Sequence, residues 1–483
     1  LFSYSLKSKT SKKLYQQSNP IANLQMGSVP GVLYFRQNEN LFQFNTNEGS
    51  IVQITNFRKG KLEEKATDKE SFLKSQQEEL FQFVRDQEAL KKWNLAKSKT
   101  IKSDFPKPYY YGKNTFGSLK VNPKGNFATF RLIEDSEQKS EKMELFITAD
   151  GYNQIEDTKE KVSVDNLLAT KFGIYNIAKD SVYFVNFSSL SHIQDVPKYF
   201  ETYEKSKTAA NKDKLIVVQE PVYNENGSYA ISEIRSQDNK DRWIVSLNLE
   251  NGTFQELDHQ HDEAWIGGPG IPSNSYGRGT LGFLGDNETV YFQSEETGYS
   301  HLYTYNLKSK NKTQLTKGNW EVRNVSLAKD KKSYYLTTTT THPGNRNFYK
   351  LEVANTVLQP ILTKDGAHEV SLSPDESTLL VRYSYKNKPW ELYVAPNKKN
   401  TNLNQITFST SESFKGYSWR EPEVITFKSQ DGTPVNARLY KPQTANANKA
   451  AILFVHGAGY LQNAHNYWST YHREYMFHNL LVD

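Results

Sequence analysis

The sequence predicts a mainly β fold: a seven- or eight-bladed β-propeller with one inserted helix, followed by the first strands and helix of an α/β domain. Three observations carry this prediction. A short aromatic strand phrase recurs along most of the chain, one stretch over 67–95 has helical periodicity instead, and residues 450–460, AAILFVHGAGY, read as an apolar strand ending in a glycine-rich turn.

The 483 residues are too many for one hydrophobic core. Hydrophobic residues make up only 36%, yet 13% are aromatic, and an aromatic-rich chain of short apolar runs favours strands. No apolar run approaches the roughly 18 residues of a membrane span. With no cysteine, disulfides, thiol nucleophiles and cysteine metal sites are excluded. The net charge of +6 comes from lysines spread along the chain, which fits solubility rather than a nucleic-acid-binding face, so no nucleic-acid partner is expected. The first residue is Leu, and any signal or lipid anchor is expected upstream of it.

The first phrase pairs two strands across a polar turn and often ends in Leu-Thr or Ile-Thr. It reads LFSYSLKSKTSKKL at 1–14, LFQFNTNEGSIVQIT at 41–55, WIVSLNLENGTFQEL at 243–257, HLYTYNLKSKNKTQLT at 301–316, FYKLEVANTVLQPILT at 348–363 and ELYVAPNKKNTNLNQIT at 391–407. A second phrase, a polar turn feeding an apolar strand, precedes many copies: NPKGNFATFRL at 122, NENGSYAISEI at 224, LGDNETVYFQS at 284, AKDKKSYYLTT at 328 and SPDESTLLVRY at 373. Together they make about four strands per unit, the pattern of a propeller blade. The count allows for degenerate copies near Phe146 and Tyr183 and expects an incomplete first blade, because Leu1 falls within a phrase.

The propeller is assigned to 1–415 and the start of the α/β domain to 416–483. In the inserted segment, Thr67 and Glu70 can form a capping box, and Leu73, Leu80, Phe83, Val84, Leu90 and Trp93 recur at helical spacing. Residues 424–442 predict a hairpin turning at Asp431-Gly432. A linker over 444–449 leads to the strand at 450, and residues 466–481 predict a helix with Trp468, Tyr471, Tyr475, Met476 and Leu480 facing the sheet.

The blades, the phrase SEETGYSHLYTYNL at 294–307, the hairpin FKSQDGTPVNARLYKP at 427–442 and the strand AILFVHGAGY at 451–460 together resemble the prolyl oligopeptidase family of serine peptidases, in its dipeptidyl-peptidase IV-like branch. The resemblance covers nearly the whole chain and is strongest from Val424 onward. It implies a propeller that restricts access to a C-terminal α/β-hydrolase domain. That domain would cleave short peptides or N-terminal dipeptides with a Ser-Asp-His triad and no cofactor or metal. It also implies a periplasmic, cell-surface or secreted location.

No G-x-S-x-G elbow occurs, so no catalytic residue is assigned in this chain and the triad is expected after Asp483. The nearest approach, GYSWR at 416–420, lacks the second glycine and is read as linker. Oxyanion donors are expected from the backbone at Gly457 and Ala458. Relatives place a tyrosine hydroxyl near this turn, and here Tyr460 follows it. His456 is read as shaping the turn, since this fold draws its base from the far end of the domain.

Dipeptidyl peptidases of this family hold the substrate's amino terminus with paired glutamates, which supply charge and acceptor geometry together. Glu78 and Glu79 on the inserted helix are the candidate pair, with Glu295 and Glu296 in a blade as the second. Each pair also fits a solvated polar face. The loop over 261–279 is rich in Gly and Pro, and Asp258, His259, His261, Asp262 and Glu263 cluster at its entrance. Their spacing matches no metal motif, so structural or entrance-lining roles are expected.

Two functions stay open: part of a serine peptidase, with these 483 residues alone inactive, or a non-catalytic binding propeller with a degenerate hydrolase remnant. The expected partners are a peptide substrate and either a missing C-terminal hydrolase segment or a second polypeptide supplying it. Homo-oligomerisation stays open.

Overall fold

The computed structural model describes residues 2–5, 8, 10–15, 20–60, 89–90, 92–93, 105–135, 140–159, 168–202, 212–442, 450–457 and 461–482. The chain divides into two compact units, residues 1–238 with 244–256, and residues 239–243 with 257–483.

Short aromatic and apolar strands, the inner ones buried along most of their length, build the first unit from antiparallel meanders. After the hairpin Phe2–Ser5 with Thr10–Lys13 comes a four-stranded sheet of Ala22–Met26, Val32–Gln37, Asn40–Asn45 and Ser50–Gln53. The next sheet contains Thr115–Val121, Phe127–Ile133, Thr170–Asn176 and Ser181–Phe184. Leu41, Leu119, Ala128 and Phe130 are fully buried in one cluster between these strands. Phe130 stacks on Phe116 at 5.4 Å, and a side chain at Gly173 would strike the Phe130 ring.

The two degenerate copies resolve differently from the expectation. Near Phe146 the chain makes an exposed two-stranded hairpin, Lys142–Leu145 with Gln154–Asp157, inserted between two strands of one sheet. Tyr183 lies on the last strand of that same sheet. Neither segment is a blade, because neither supplies the inner apolar strands that a blade requires.

A further sheet orders Ile216–Val218, Ala230–Ser236, Asp241–Asn248 and Thr253–His261, with Val222–Tyr223 also paired to its second strand. Three four-stranded sheets follow in the second unit. They are Leu281–Phe283, Thr289–Ser294, His301–Asn306 and Lys312–Gln314; then Val322–Leu327, Ser333–Thr338, Asn347–Glu352 and Val357–Leu362; then Ala367–Leu372, Thr378–Tyr385, Lys388–Pro396 and Asn404–Gln405. The described residues thus contain six consecutive antiparallel meanders of propeller-blade type, and the fold is mainly β.

The recurring polar turn has a common cause. Asp286, Asp330 and Asp375 each accept backbone N–H bonds from the residues two or three positions on, which closes the turn between the first two strands of a sheet. The residue after each, Asn287, Lys331 or Glu376, then takes a left-handed conformation.

Beyond the last meander, Ser411 caps the short helix Glu412–Gly416. The predicted hairpin forms as Glu423–Lys428 with Pro434–Leu439, turning through Gly432 at φ +86°. Residues 451–457 are described without strand structure, and Ile452, Leu453 and Val455 are exposed. The expected buried strand does not form there: no described strand pairs with the segment, so its apolar side chains have no sheet to pack into and its exposed backbone is left to water. The final helix is His472–Val482, starting later than position 466. Its predicted first turn is spent elsewhere: the Asn466 amide donates to the Gly344 carbonyl at 2.9 Å. Of the inserted segment, residues 89–90 and 92–93 are helical and 61–88 lie outside the described residues.

Candidate functional site

The expected site residues divide sharply. Gly457 is exposed, and His456 Nδ1 donates to the Gly457 carbonyl at 2.8 Å, so the imidazole is engaged with the turn itself. Ala458, Tyr460, Glu78 and Glu79 lie outside the described residues.

Glu295 and Glu296 follow the strand Thr289–Ser294, where the chain turns, and end up in different environments. Glu296 accepts from Lys312 Nζ at 2.6 Å, and the same ammonium reaches the buried Asp258 at 2.6 Å. Burial pulls the Lys312 ammonium down, but Asp258 and then Glu296 more than offset it, leaving it above the ordinary lysine range. Glu295 instead turns toward Gly268, Glu321 and Asp262. Burial first, then the Glu321 and Asp262 charges, push its carboxyl up to about 7. Glu321 is also raised by burial and accepts the Ser300 N–H at 2.6 Å. The carboxylates that share a site are therefore Glu295 and Glu321, 26 positions apart, which no local motif in the sequence links.

The glycine-rich loop is clamped over this site. Gly268 and Gly270 have φ of +133° and +75°, and a Cβ at either would collide with the Glu295 carboxylate or the Gln293 amide. Gln293 donates to the Val322 carbonyl at 2.6 Å and the Pro269 carbonyl at 3.2 Å, while Ser300 Oγ donates to Pro269 at 2.6 Å. The glycines are thus the residues that let the backbone close on Glu295.

The Asp/His cluster at the loop entrance is a tied ionic group. One Asp241 oxygen accepts from His259 Nε2 at 2.9 Å and His261 Nδ1 at 2.8 Å, and His261 Nε2 lies 3.3 Å from Glu263. Burial draws the His261 imidazole down, but Asp241 and Glu263 leave it above its ordinary value. His259 stacks on the fully buried Trp243 at 5.3 Å. No set of three or more His, Asp or Glu among the described residues is arranged to hold a metal ion.

Residues 464–469 dock on the same unit. Asn466 Nδ2 donates to Asn345 Oδ1 at 2.9 Å, the Trp468 amide donates to Ser384 Oγ at 3.1 Å, and Ala464 packs where a Gly344 side chain would stand. His465 stacks on Tyr467 at 3.8 Å, and burial, then Arg438, push its imidazole down to about 3. In the 416–420 segment, Trp419 stacks against Phe414 at 4.7 Å and meets Trp468 edge-on at 5.5 Å. No helix among the described residues is long and apolar enough to cross a membrane.

Comparison with known proteins gives one consistent answer. Residues 181–390 match the family described as "Dipeptidyl peptidase IV (DPP IV) N-terminal region". Dipeptidyl peptidase 4 of Trichophyton equinum is 27% identical over 238 residues, covering 47% of this chain and 30% of that protein. Dipeptidyl peptidase 4 of Arthroderma otae is 28% identical over 200 residues, covering 40% of this chain and 25% of its own length. The crystal structure of Porphyromonas gingivalis dipeptidyl peptidase 4 shares the fold with a TM-score of 0.57 at 14% identity, covering 91% of this chain and 53% of that one. The chain thus spans about half the length of that structure, and its matches span less than a third of the curated relatives. Residues 181–390 and the consecutive propeller-type blades thus make this chain similar to the N-terminal region of dipeptidyl peptidase IV.

Proposed function

We propose that this chain is the substrate-admitting part of an exported serine peptidase that removes dipeptides from the free amino terminus of short peptides. The observation that carries the reading is Glu295, a half-buried carboxyl acted on by Glu321 and Asp262 within the matched region 181–390. An ammonium entering there would relieve the repulsion between the carboxylates and give Glu295 a charge-assisted partner, a stronger pairing than neutral hydrogen bonding, while Glu321 already feels the Arg323 charge. Clamping of the loop by Gln293 and Ser300 keeps the acidic group pre-formed, so little ordering remains for the substrate to bear.

In this reading, the turn at Gly457 and Ala458 supplies backbone donors to the acyl oxyanion. The 483 residues contain no G-x-S-x-G elbow, so alone they are expected to bind peptide without hydrolysing it.

The test compares Ala-Pro-p-nitroanilide with its N-acetylated form, using the polypeptide that carries these residues in its native source. Hydrolysis of the free-amine substrate at least about a hundredfold faster, in line with loss of a desolvated charge pair, is expected. Equal rates would overturn the amine-anchoring reading. Absence of any hydrolysis would favour the non-catalytic binding propeller.

A further inference from the structure

Within the second unit lies a cavity of about 460 Å³, lined among others by Arg323, Ser326, Arg346, His368 and Glu369. Its size is that of a site for one or two residues of a peptide. What distinguishes it is how its charges are committed.

Arg346 is held firmly. Its amide donates to the Gly366 carbonyl at 2.9 Å, while its own carbonyl accepts from the His368 amide at 3.1 Å and from His368 Nδ1 at 2.7 Å. The guanidinium lies 4.8 Å over the Tyr467 ring and donates to the Tyr467 hydroxyl at 3.1 Å. Glu369, the one acidic residue lining the cavity, is 3.8 Å from Arg346 and 3.1 Å from Arg382, so its charge is shared between two cations.

Arg323 differs. Its guanidinium is half-buried and makes no hydrogen bond or ion pair among the described residues. Glu321, the acid whose charge it senses, is engaged with the Ser300 N–H. Burial and then the neighbouring Arg346 hold the Arg323 guanidinium below its usual range, and Tyr467 and Glu321 only partly offset them. His368, buried and pushed down to about 4 by that burial, is neutral and adds no charge of either sign.

We propose that this cavity binds the carboxylate of a peptide, with the Arg323 fork as the primary contact and Arg346 as the second, pre-positioned cation. A guanidinium matches a carboxylate with two parallel N–H bonds, and a half-buried site strengthens the pair relative to water. That the carboxylate belongs to a peptide rests on the peptidase reading above. The cation site itself rests on the cavity and its unpaired arginine.

The experiment is calorimetric titration of the full chain with tetra-alanine as the free acid, tetra-alanine amide, and N-acetyl-Ala-Asp-Ala-amide, with inorganic phosphate as a fourth probe. Neither free serine nor hydrolysis is needed, so its failure is separate from failure of the peptidase assay. Saturable binding of a carboxylate-bearing peptide at least about tenfold tighter than the amide, weakened by salt, is expected. Preference for the free acid assigns the C-terminal carboxylate, and preference for the Asp peptide assigns an acidic side chain. Arg323→Met should lose about tenfold or more in affinity and Arg323→Lys less, both with unchanged thermal unfolding. Equal binding of acid and amide by the unmodified protein, binding of phosphate alone, or unchanged affinity in Arg323→Met would overturn the proposal.

Discussion

Asn466 is fastened to Asn345 across 121 positions of sequence: its Nδ2 donates to the Asn345 Oδ1 at 2.9 Å in a buried setting. The same Oδ1 accepts the Gly366 N–H at 3.2 Å, and Asn345 Nδ2 donates to Asp365 at 2.8 Å. One amide thus joins the 464–469 segment to a blade of its own unit. Asn466→Ala removes a donor from this network and should cost about 1–2 kcal/mol. Chemical denaturation measures the cost, and limited proteolysis should find faster cleavage within 461–471.

The docked segment should also be acid-sensitive. His465 is about 3 when folded and near 6.5 when unfolded, so the unfolded state binds more protons between those values. Stability is therefore fully present above about 6.5 and is lost progressively as pH falls toward 3, by about 2 kcal/mol at pH 5. Hydrogen exchange at the Asn466 amide should accelerate between pH 8 and pH 5 beyond the intrinsic pH effect, and a His465→Gln chain should lack that excess.

Glu295 carries the opposite sign. Its folded value of about 7 exceeds the ordinary 4.5, so the folded state binds the extra proton within that window and stability falls as pH rises through it. Glu295→Gln should be more stable than the parent at pH 8 by about 1–2 kcal/mol, a figure reduced for solvent screening, and indistinguishable near pH 4. Urea midpoints at the two pH values test this. The same variant should bind free-amine peptides at least about tenfold more weakly at pH 8, if Glu295 anchors the amine.

Among the described residues, Lys312 is the cation that meets the buried Asp258 carboxylate, at 2.6 Å. Lys312→Met leaves that charge desolvated and should cost about 2–4 kcal/mol, while Lys312→Met with Asp258→Asn should recover most of it. A double-mutant cycle from denaturation curves measures the coupling.

Much of the fold was legible because short aromatic and apolar strands recur, the inner ones buried along their length, and several turns use Asp followed by a left-handed residue, as at Asp330 and Lys331. The Asp431-Gly432 hairpin was legible for the same reason, since Gly432 supplies the positive φ. The site was less so. Adjacency of Glu295 and Glu296 suggested a pair, yet past the strand end Glu296 pairs with Lys312 while Glu295 is acted on by Glu321, next to the first strand of another sheet. Apolar periodicity over 466–481 could not reveal that Asn466 would bond to Asn345 and delay the helix to His472. Likewise, the apolar run at 451–455 signals burial without naming a strand to pair with.

The most direct test of the peptidase assignment is fluorophosphonate labelling of the polypeptide that carries these residues in its native source, with the modified residue mapped by mass spectrometry. The account predicts one labelled serine, outside these 483 residues, protected by a free-amine dipeptide inhibitor. Absence of labelling, or a label on Ser418 or any other serine within this sequence, would contradict it.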